Sequence, residues 1–438
     1  MSNPETGLKR LLGPWDVIAI NIGIVIGVGI FRVPSEVARY LPSAPLIILA
    51  WFLGGLICLL GAFCYSELAS SIPETGGNYI YLQRSYGKLT AFLFGWTEVL
   101  VIRPGSIAAV AFIFAEYFKS FFSFEKIPLK FIAVSIVFIL SLINILGLKP
   151  AKRFQNLSTF TKVFALVGII LFGISLRKGS SSNFYSGTTL PATQILPLLG
   201  LALIPVLWTY GGWHESTYVS GEIRDYKTSL PFSLIRGTLL ISSIYIMINL
   251  VYIYLVPAEE IMHTDLIASK AMQILWRDTG RKILEGLVLI SSLGCINGMI
   301  LTGGRLTYCL GKDNRIFRYL EEINQHFSTP SRSILFNALW ATGLIIWGTF
   351  NRLLFFTGIV VWLFFALVIS GLFILRHKFP QMERPFKTPG FPFTPLVFIL
   401  ICSSLVVNTL FHYPWQSLAG ITLTLSGIPI FFFQKKKL

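Results

Sequence analysis

Twelve long apolar segments restrict what this chain can fold into more than any other feature of its sequence. A helix of about 20 residues crosses the hydrocarbon core of a bilayer, and each segment is near this length or longer. The chain is 54% hydrophobic and only 13% charged, which excludes an ordinary soluble globular protein. We therefore predict an all-α polytopic membrane protein with twelve transmembrane helices and no soluble domain. The predicted segments are residues 15–40, 44–72, 86–118, 128–147, 155–177, 194–220, 232–256, 281–311, 333–349, 351–376, 393–412 and 414–434.

The basic residues predict how the chain is oriented. Lys and Arg concentrate in short loops on the N-terminal side of the membrane, among them Lys149, Lys152 and Arg153 between the fourth and fifth segments. This asymmetry is typical of cytoplasmic loops, so we expect both termini in the cytoplasm, with 1–14 as an N-terminal extension and 435–438 as a basic tail. It also accounts for the net charge of +16 without a nucleic-acid partner. The predicted location is the plasma membrane, or the inner membrane if the source is bacterial.

Glycines interrupt the first segment near its middle, in the sequence IGVGIF at 26–31. Glycine is a poor helix former, and non-helical backbone inside a membrane survives only against protein or a water-filled cavity. The first N–H groups of a half-helix can bind a carboxylate, aided by the positive end of the helix dipole. Helix packing is the alternative, because Gly23 and Gly27 form a small-xxx-small pair. The candidate binding residues of this first break are Ile26, Gly27, Val28, Gly29 and Ile30.

A second interruption, WTYGGW at 208–213, lies in the sixth segment. The first and sixth segments are the first members of two successive sets of five, and each contains a glycine break. Paired breaks in corresponding halves point to a transporter built from inverted repeats, with its binding site near the midplane. Chance placement is the alternative, since glycine is common in membrane helices. The candidate binding residues of this second break are Trp208, Thr209, Tyr210, Gly211 and Gly212.

Ionisable residues inside the predicted segments are candidates for coupling. Lys162, in the fifth segment, either supplies an ammonium where a coupling cation would otherwise bind, or extends to the inner interface. His214 follows the second break and can change its charge near neutral pH, although a lone histidine is more often a packing residue. Glu98 and Arg103 in the third segment are spaced to pair with each other or with neighbours.

The sequence contains no residue cluster typical of an enzyme or a metal site. The five histidines are scattered, and the five cysteines all fall within predicted segments without a CxxC pair. We therefore expect no covalent chemistry, no metal and no cofactor.

The two breaks and their surroundings resemble the amino acid–polyamine–organocation superfamily, and within it the L-type amino-acid transporter (light-chain) branch. The resemblance runs through nearly the whole chain. The sequence WTEVLVIRP at 96–104 is the motif most particular to this branch. The other matching sequences are IGVGIF at 26–31, CYSEL at 64–68, PETGGNYIY at 73–81, TKVFAL at 161–166, YGGWHE at 210–215, INGMILTGGRLTYCLGKDNRIF at 296–317, TPSRS at 329–333 and RPFKTPGFPFTP at 384–395.

This resemblance implies a five-plus-five inverted repeat of the leucine-transporter type, with helices 1 and 6 broken. Residues 15–177 would form the first repeat, 194–376 the second, inverted repeat, and 393–434 helices 11 and 12. Members of the branch move amino acids without sodium, many as obligatory exchangers. The chain is accordingly expected to exchange neutral L-amino acids by alternating access. Proton-coupled symport, and a membrane sensor that binds an amino acid without transporting it, stay open as alternatives.

The resemblance also implies roles for residues of the two breaks. Backbone groups of residues 28–30 would receive the substrate carboxylate. The carbonyls of Trp208, Thr209 and Gly211 would receive its ammonium, and Trp208 falls where the family has an aromatic gate. Backbone groups do not distinguish one amino acid from another, so neighbouring side chains must set specificity.

Coupling and specificity residues follow from the same resemblance. Lys162 falls on the lysine that stands in for the sodium ion of related transporters, and Asn297 in the eighth segment is a candidate pocket or coupling residue. The chain departs from the family pattern at three positions: Val28 replaces the usual Ser, Thr209 a small Ala, and His214 a common Asn. These departures leave the identity of the substrate open.

The expected partners are an amino-acid substrate and the lipid bilayer. Animal light chains hold a heavy chain through a cysteine in the loop between the third and fourth segments. That loop, about residues 120–128, contains no cysteine here. We therefore expect no disulfide-linked heavy chain.

Overall fold

The computed structural model describes residues 13–74, 76–146, 148–322, 324 and 329–435. Within these ranges the chain forms helices and no β-strand, apart from two isolated bridges between single residues. The prediction of an all-α protein is confirmed. The predicted N-terminal extension lies outside the described residues except for its last two, and the predicted basic tail except for its first.

Eight α-helices form the N-terminal part of the chain. They are α1 (Pro14–Val25), α2 (Gly29–Tyr40), α3 (Ala44–Ser71), α4 (Asn78–Tyr86), α5 (Lys88–Thr97), α6 (Arg103–Phe122), α7 (Leu129–Leu146) and α8 (Leu148–Ser175). The π-helical turn Glu98–Ile102 joins α5 to α6, so that the predicted third segment is one helical run with a widened turn at its centre. Such π-turns are frequent at functional sites.

Nine α-helices form the C-terminal part. They are α9 (Ala192–Thr209), α10 (Tyr226–Leu255), α11 (Ala258–Met262), α12 (Ile267–Asp313), α13 (Ser331–Trp347), α14 (Phe350–Lys378), α15 (Phe393–His412), α16 (Pro414–Leu425) and α17 (Gly427–Lys435). α12 begins well before the predicted start of the eighth segment. Trp276 and Arg277 have non-helical backbone angles, so a kink joins a short preceding helix to the spanning one.

Nine helical runs of the described chain are long and apolar enough to cross a membrane. The first predicted segment is not among them because it is split into α1 and α2, of 12 residues each. The apolar part of the fifth covers only Thr161–Ser175, and α13 has 17 residues. Large apolar side chains such as Leu196, Phe411 and Trp415 are exposed on the outside of the bundle, as expected for surfaces that contact lipid.

The two interrupted segments lie inside the bundle. α1 packs on α10, α2 packs on α9, and α9 also contacts α3 and α14. Residues 29–38 of α2 are all buried, although this helix includes Arg32 and Glu36. A short helix that is covered on every side and contains charged residues must find partners for those charges among its neighbours.

Candidate functional site: a cavity between two interrupted helices

The first break occupies three residues between α1 and α2. The N–H of Gly27 donates to the carbonyl of Val25 at 2.6 Å, and the N–H of Phe31 donates to that of Val28 at 3.1 Å. α2 then begins at Gly29, and the first N–H groups of a helix have no acceptor within it. The N–H groups of Gly29 and Ile30, which precede the bonded N–H of Phe31, are therefore placed to bind a ligand at the start of α2.

The second break follows α9. The N–H of Gly211 donates to the carbonyl of Trp208 at 2.9 Å, and Gly212 has φ +106°, which an L side chain rarely adopts. The chain continues as a short 3₁₀-helix, Glu215–Glu222. The last carbonyls of α9 thus lie at the end of a helix, where they have no partner within α9 itself, and that of Trp208 is bonded only by the turn that follows.

The two breaks are in contact. A Cβ placed on Gly29 would lie 2.8 Å from Oγ1 of Thr209, so glycine is required for this close approach. The hydroxyl of Tyr245 on α10 donates to the carbonyl of Val25 at 2.7 Å and lies 3.3 Å from that of Thr209. One buried hydroxyl therefore lies close to the last carbonyl of α1 and to the last carbonyl of α9.

A cavity of about 170 Å³ lies between these breaks. Seven of the ten predicted binding residues line it, together with side chains from the third, eighth and tenth segments. The seven are Gly27, Val28, Gly29, Trp208, Thr209, Gly211 and Gly212. The other three, Ile26, Ile30 and Tyr210, pack into the hydrophobic core. The site is thus built mainly from backbone and apolar side chains, as small-ligand sites usually are.

Trp208 packs against the first turn of α14. Its ring meets the ring of Phe350 edge to face, with centroids 5.7 Å apart. The guanidinium of Arg32 in turn lies 5.1 Å from the centre of the Phe350 ring. The Phe350 ring therefore contacts both Trp208 of the cavity wall and Arg32, which belongs to a group of ion pairs.

These ion pairs form a network around Glu36, which is 3% exposed. Its carboxylate accepts from Arg32 at 2.6 Å and from Arg39 at 2.5 Å. Arg32 also donates to Glu116 of α6 at 3.0 Å, and Arg39 donates to Asp265 at 2.5 Å. The network joins α2 to α6 and to the loop before α12. It lies on the half of α2 that leads into the loop to α3.

The predicted coupling residues occupy different positions relative to the cavity. His214 lines it. Lys162 is 1% exposed and donates to Sγ of Cys295 at 3.0 Å, and Cys295 lines the cavity. Asn297 is buried and accepts a hydrogen bond from Asn144 at 2.8 Å. Lys162 therefore reaches the cavity wall through one intervening side chain.

A cluster of charged side chains also lines the cavity, at the end away from the Glu36 network. Nη2 of Arg103 is 2.7 Å from Oε1 of Glu98 and 3.6 Å from Oε1 of Glu215, and all three residues line the cavity. The sequence indicated the pairing of Glu98 with Arg103, and the structure confirms that contact. No role was predicted from the sequence for Glu215, Tyr245 or Cys295. The position of Glu215 two residues after the break, at the end of the sequence YGGWHE, was the signal that could have indicated it.

Comparison with known proteins gives the family of the chain. A model of the amino acid permease family matches residues 12–433. The b(0,+)-type amino acid transporter 1 of Homo sapiens is 31% identical over 98% of this chain and 88% of its own length. The serine/threonine exchanger SteT of Bacillus subtilis (strain 168) is 28% identical over 100% of this chain and 99% of its own. The large neutral amino acids transporter small subunit 2 of Mus musculus is 29% identical over 97% of this chain and 81% of its own.

The matched family and these relatives are transporters and not enzymes. The match covers both interrupted segments and the cavity between them. With its long apolar helices, the chain is an integral membrane protein. It belongs to the amino acid permease family, in the L-type branch of the amino acid–polyamine–organocation superfamily.

Proposed function

We propose that the chain is a sodium-independent exchanger of neutral L-amino acids that works by alternating access. The observation that carries the proposal is the contact between the start of α2 and the end of α9 beside one cavity. A zwitterion needs donors for its carboxylate and acceptors for its ammonium. The first turn of α2 supplies the donors and the last turn of α9 the acceptors.

The substrate carboxylate binds the N–H groups of residues 28–30, and its ammonium binds the carbonyls of Trp208, Thr209 and Gly211. Support comes from the cavity wall, which includes Val28, Gly29 and all three carbonyl residues. Helix dipoles reinforce this polarity, because the N-terminus of α2 is positive and the C-terminus of α9 is negative. Trp208 covers the substrate as an aromatic gate.

Alternating access requires one end of the cavity to be closed while the other is open. With both termini in the cytoplasm, the Glu36 network lies on the outer side of the breaks and the Glu98–Arg103–Glu215 cluster on the inner side. The many ion pairs of the outer network then keep the external entrance shut in this conformation. The protein resides in the plasma membrane, or in the inner membrane of a bacterium.

The twelve spans follow the inverted-repeat plan. Residues 15–177 and 194–376 form the two five-helix repeats, and 393–434 form helices 11 and 12. The breaks support this plan, because α1–α2 and α9 with its 3₁₀ continuation open the two sets of five in the same way. Movement of one repeat against the other exposes the cavity alternately to each side.

Lys162 acts in place of a coupling cation. Its buried ammonium contacts Cys295, which lies in the same cavity wall as Gly27. A lysine ammonium at this position takes the place of the sodium ion. Asn297 and His214 complete the proposed coupling and gating set.

Exchange is also supported by the relatives, since one of them is a serine/threonine exchanger. Another is named as a small subunit. The present chain has no cysteine in residues 120–128, so we propose that it works without a disulfide-linked heavy chain.

Uptake into proteoliposomes tests the proposal. Purified protein is reconstituted without sodium at equal pH inside and outside, and half the vesicles are loaded with unlabelled neutral amino acids. Labelled neutral amino acids should accumulate only in the loaded vesicles, and not in protein-free vesicles loaded in the same way. Equal uptake into loaded and empty vesicles contradicts exchange, and a requirement for an inward proton gradient identifies symport. Saturable binding without uptake in either condition identifies a sensor.

A further inference from the structure

The π-helical turn Glu98–Ile102 of the third segment has a cause in the sequence. It lies directly before Pro104. Proline has no N–H, and in an α-helix its ring collides with the carbonyl four residues earlier, which here belongs to Leu100. The wider turn makes room for the ring, because the N–H of Arg103 donates to the carbonyl of Glu98, five residues back instead of four. Pro104 thus accounts for the π-turn and deprives the Leu100 carbonyl of its α-helical partner.

Trp340 on α13 supplies the donor that Pro104 lacks. Its indole N–H donates to the carbonyl of Leu100. Leu100 is 7% exposed, and a buried backbone carbonyl without a donor is unfavourable. Trp340 itself is not one of the described residues that line the cavity. Any effect of this indole on a substrate must therefore pass through the π-turn.

The π-turn decides which side chains of the third segment share a face. Successive residues of an α-helix are rotated by about 100°, so Glu98 and Arg103 would point about 140° apart. In a π-turn, residues five apart are bonded to each other and lie on the same side. The two side chains are indeed together, with Nη2 of Arg103 2.7 Å from Oε1 of Glu98, and both line the cavity beside Ile102. This part of the cavity wall therefore depends on the widened turn.

We propose that Trp340 is a positioning residue for amino-acid exchange, because its bond to the Leu100 carbonyl holds the π-turn that directs Glu98 and Arg103 into the cavity. The proposal rests on the proposed function, since this cavity is where the substrate binds. When the indole N–H is lost, the Leu100 carbonyl loses its donor from α13 and the turn is held less firmly. The wall between residues 98 and 103 then changes shape, and the substrate binds more weakly.

Packing is the alternative role of Trp340, whose ring is partly buried between α13 and α6. A side chain that only fills space affects the melting temperature and the amount of folded protein. It does not change the substrate concentration that half-saturates exchange. The KM of exchange and the melting temperature, measured on the same variants, therefore distinguish the two roles.

Trp340→Phe removes the indole N–H and keeps an aromatic ring. Proteoliposomes loaded with leucine or with serine take up the same amino acid in labelled form, and KM is measured for each. We expect KM to rise at least fivefold in Trp340→Phe, and to stay unchanged in Trp347→Phe, the same substitution at an exposed position of α13. A lower melting temperature with an unchanged KM assigns Trp340 to packing and overturns the proposal. If the unmodified protein exchanges neither amino acid, the proposed function fails instead.

Pro104→Ala tests the turn without touching Trp340. Alanine gives residue 104 an N–H for the Leu100 carbonyl and removes the collision of the ring, so the turn can relax into an α-helix. KM should again rise at least fivefold, while the melting temperature does not fall. Loss of packing does not produce this combination. An unchanged KM in Pro104→Ala shows that the π-turn does not shape the binding site and contradicts the proposal.

The double variant tests whether the two residues act through the same carbonyl. In Pro104→Ala the Leu100 carbonyl no longer needs the indole, so adding Trp340→Phe should leave KM within twofold of the value for Pro104→Ala alone. If the two effects multiply, Trp340 acts independently of the turn and the proposal is overturned. Should Trp340→Phe alone fail to fold, Pro104→Ala and the double variant still give this comparison.

Discussion

The hydroxyl of Tyr245 donates to the carbonyl of Val25 at 2.7 Å, and the two residues are 220 positions apart in the chain. The same hydroxyl lies 3.3 Å from the carbonyl of Thr209. A hydroxyl has one proton and donates to one carbonyl at a time. Tyr245 therefore connects the ends of both interrupted helices and can exchange its bond between them when either helix moves.

Tyr245→Phe should slow exchange several-fold while changing the stability of the fold only slightly. The variant keeps the ring in the core and removes one hydrogen bond, worth about 1 kcal/mol in a typical protein. We expect the maximal uptake rate to fall several-fold with a small change in melting temperature. Tyr252→Phe is the matched control, since Tyr252 is buried on the same helix and no group of the described chain bonds its hydroxyl. Equal rates in the two variants contradict a role for the Tyr245 bond.

Gly29→Ala should prevent binding at the first break. The added methyl group would lie 2.8 Å from Oγ1 and 2.9 Å from Cγ2 of Thr209, so α2 and α9 must separate. Such overpacking typically costs about 1–3 kcal/mol. We expect substrate affinity to fall at least tenfold, measured by ligand-dependent thermal stabilisation. Gly168→Ala on α8 is the control, because nothing lies within 4 Å of its added Cβ. Unchanged affinity in Gly29→Ala contradicts the need for close contact between the breaks.

Local chemistry made the breaks predictable. Glycines at 27, 29, 211 and 212 interrupt apolar segments whose composition otherwise favours an unbroken helix, and this signal requires no knowledge of the fold. The membrane class follows for the same reason, because burying a polar backbone in lipid leaves only helices or closed barrels. Sequence therefore predicted the helical class and the residues where the two segments are interrupted.

Long-range contacts were not predictable in this way. Tyr245, Arg32 and Cys295 carry no sign of their roles in the local sequence, and each bonds a partner on another helix. The sequence also did not show which residues of the first break face the cavity and which face the core. Gly27, Val28 and Gly29 line the cavity whereas Ile26 and Ile30 point into the core, and only the local backbone geometry decides between them.

Lys162→Ala should impair exchange more than folding. The variant removes a buried ammonium that donates to Cys295 and leaves no group in its place. We expect the uptake rate to fall at least tenfold, while the amount of folded protein in detergent changes little. Lys126→Ala, at an exposed loop position, is the control for loss of a lysine. A normal rate in Lys162→Ala contradicts its role as a substitute for a coupling cation.

Cys295→Ala should reproduce part of the Lys162→Ala effect. The ammonium would remain but would lose its sulfur acceptor, and so would be held less firmly beside the cavity. Cys295→Ser keeps an acceptor and should restore most of the rate. Uptake kinetics of the two variants measure this difference. If alanine and serine give the same rate, the contact between Lys162 and Cys295 does not contribute to transport.

Glu36→Gln should open the outer end of the bundle. The carboxylate of Glu36 accepts from Arg32 and Arg39, and breaking a buried ion pair typically costs about 3–5 kcal/mol. The substitution destabilises the conformation in which the outer end is closed. The conformation in which the outer end is open therefore becomes more populated. Phe350→Cys places a reporter thiol beside the network, and a membrane-impermeant reagent added outside should label it at least tenfold faster when Glu36→Gln is present. Glu259→Gln, at an exposed position on α11, is the control and should leave the labelling rate unchanged. Equal labelling in the two backgrounds, or faster labelling only from the inside, contradicts both the gating role of the network and the proposed orientation.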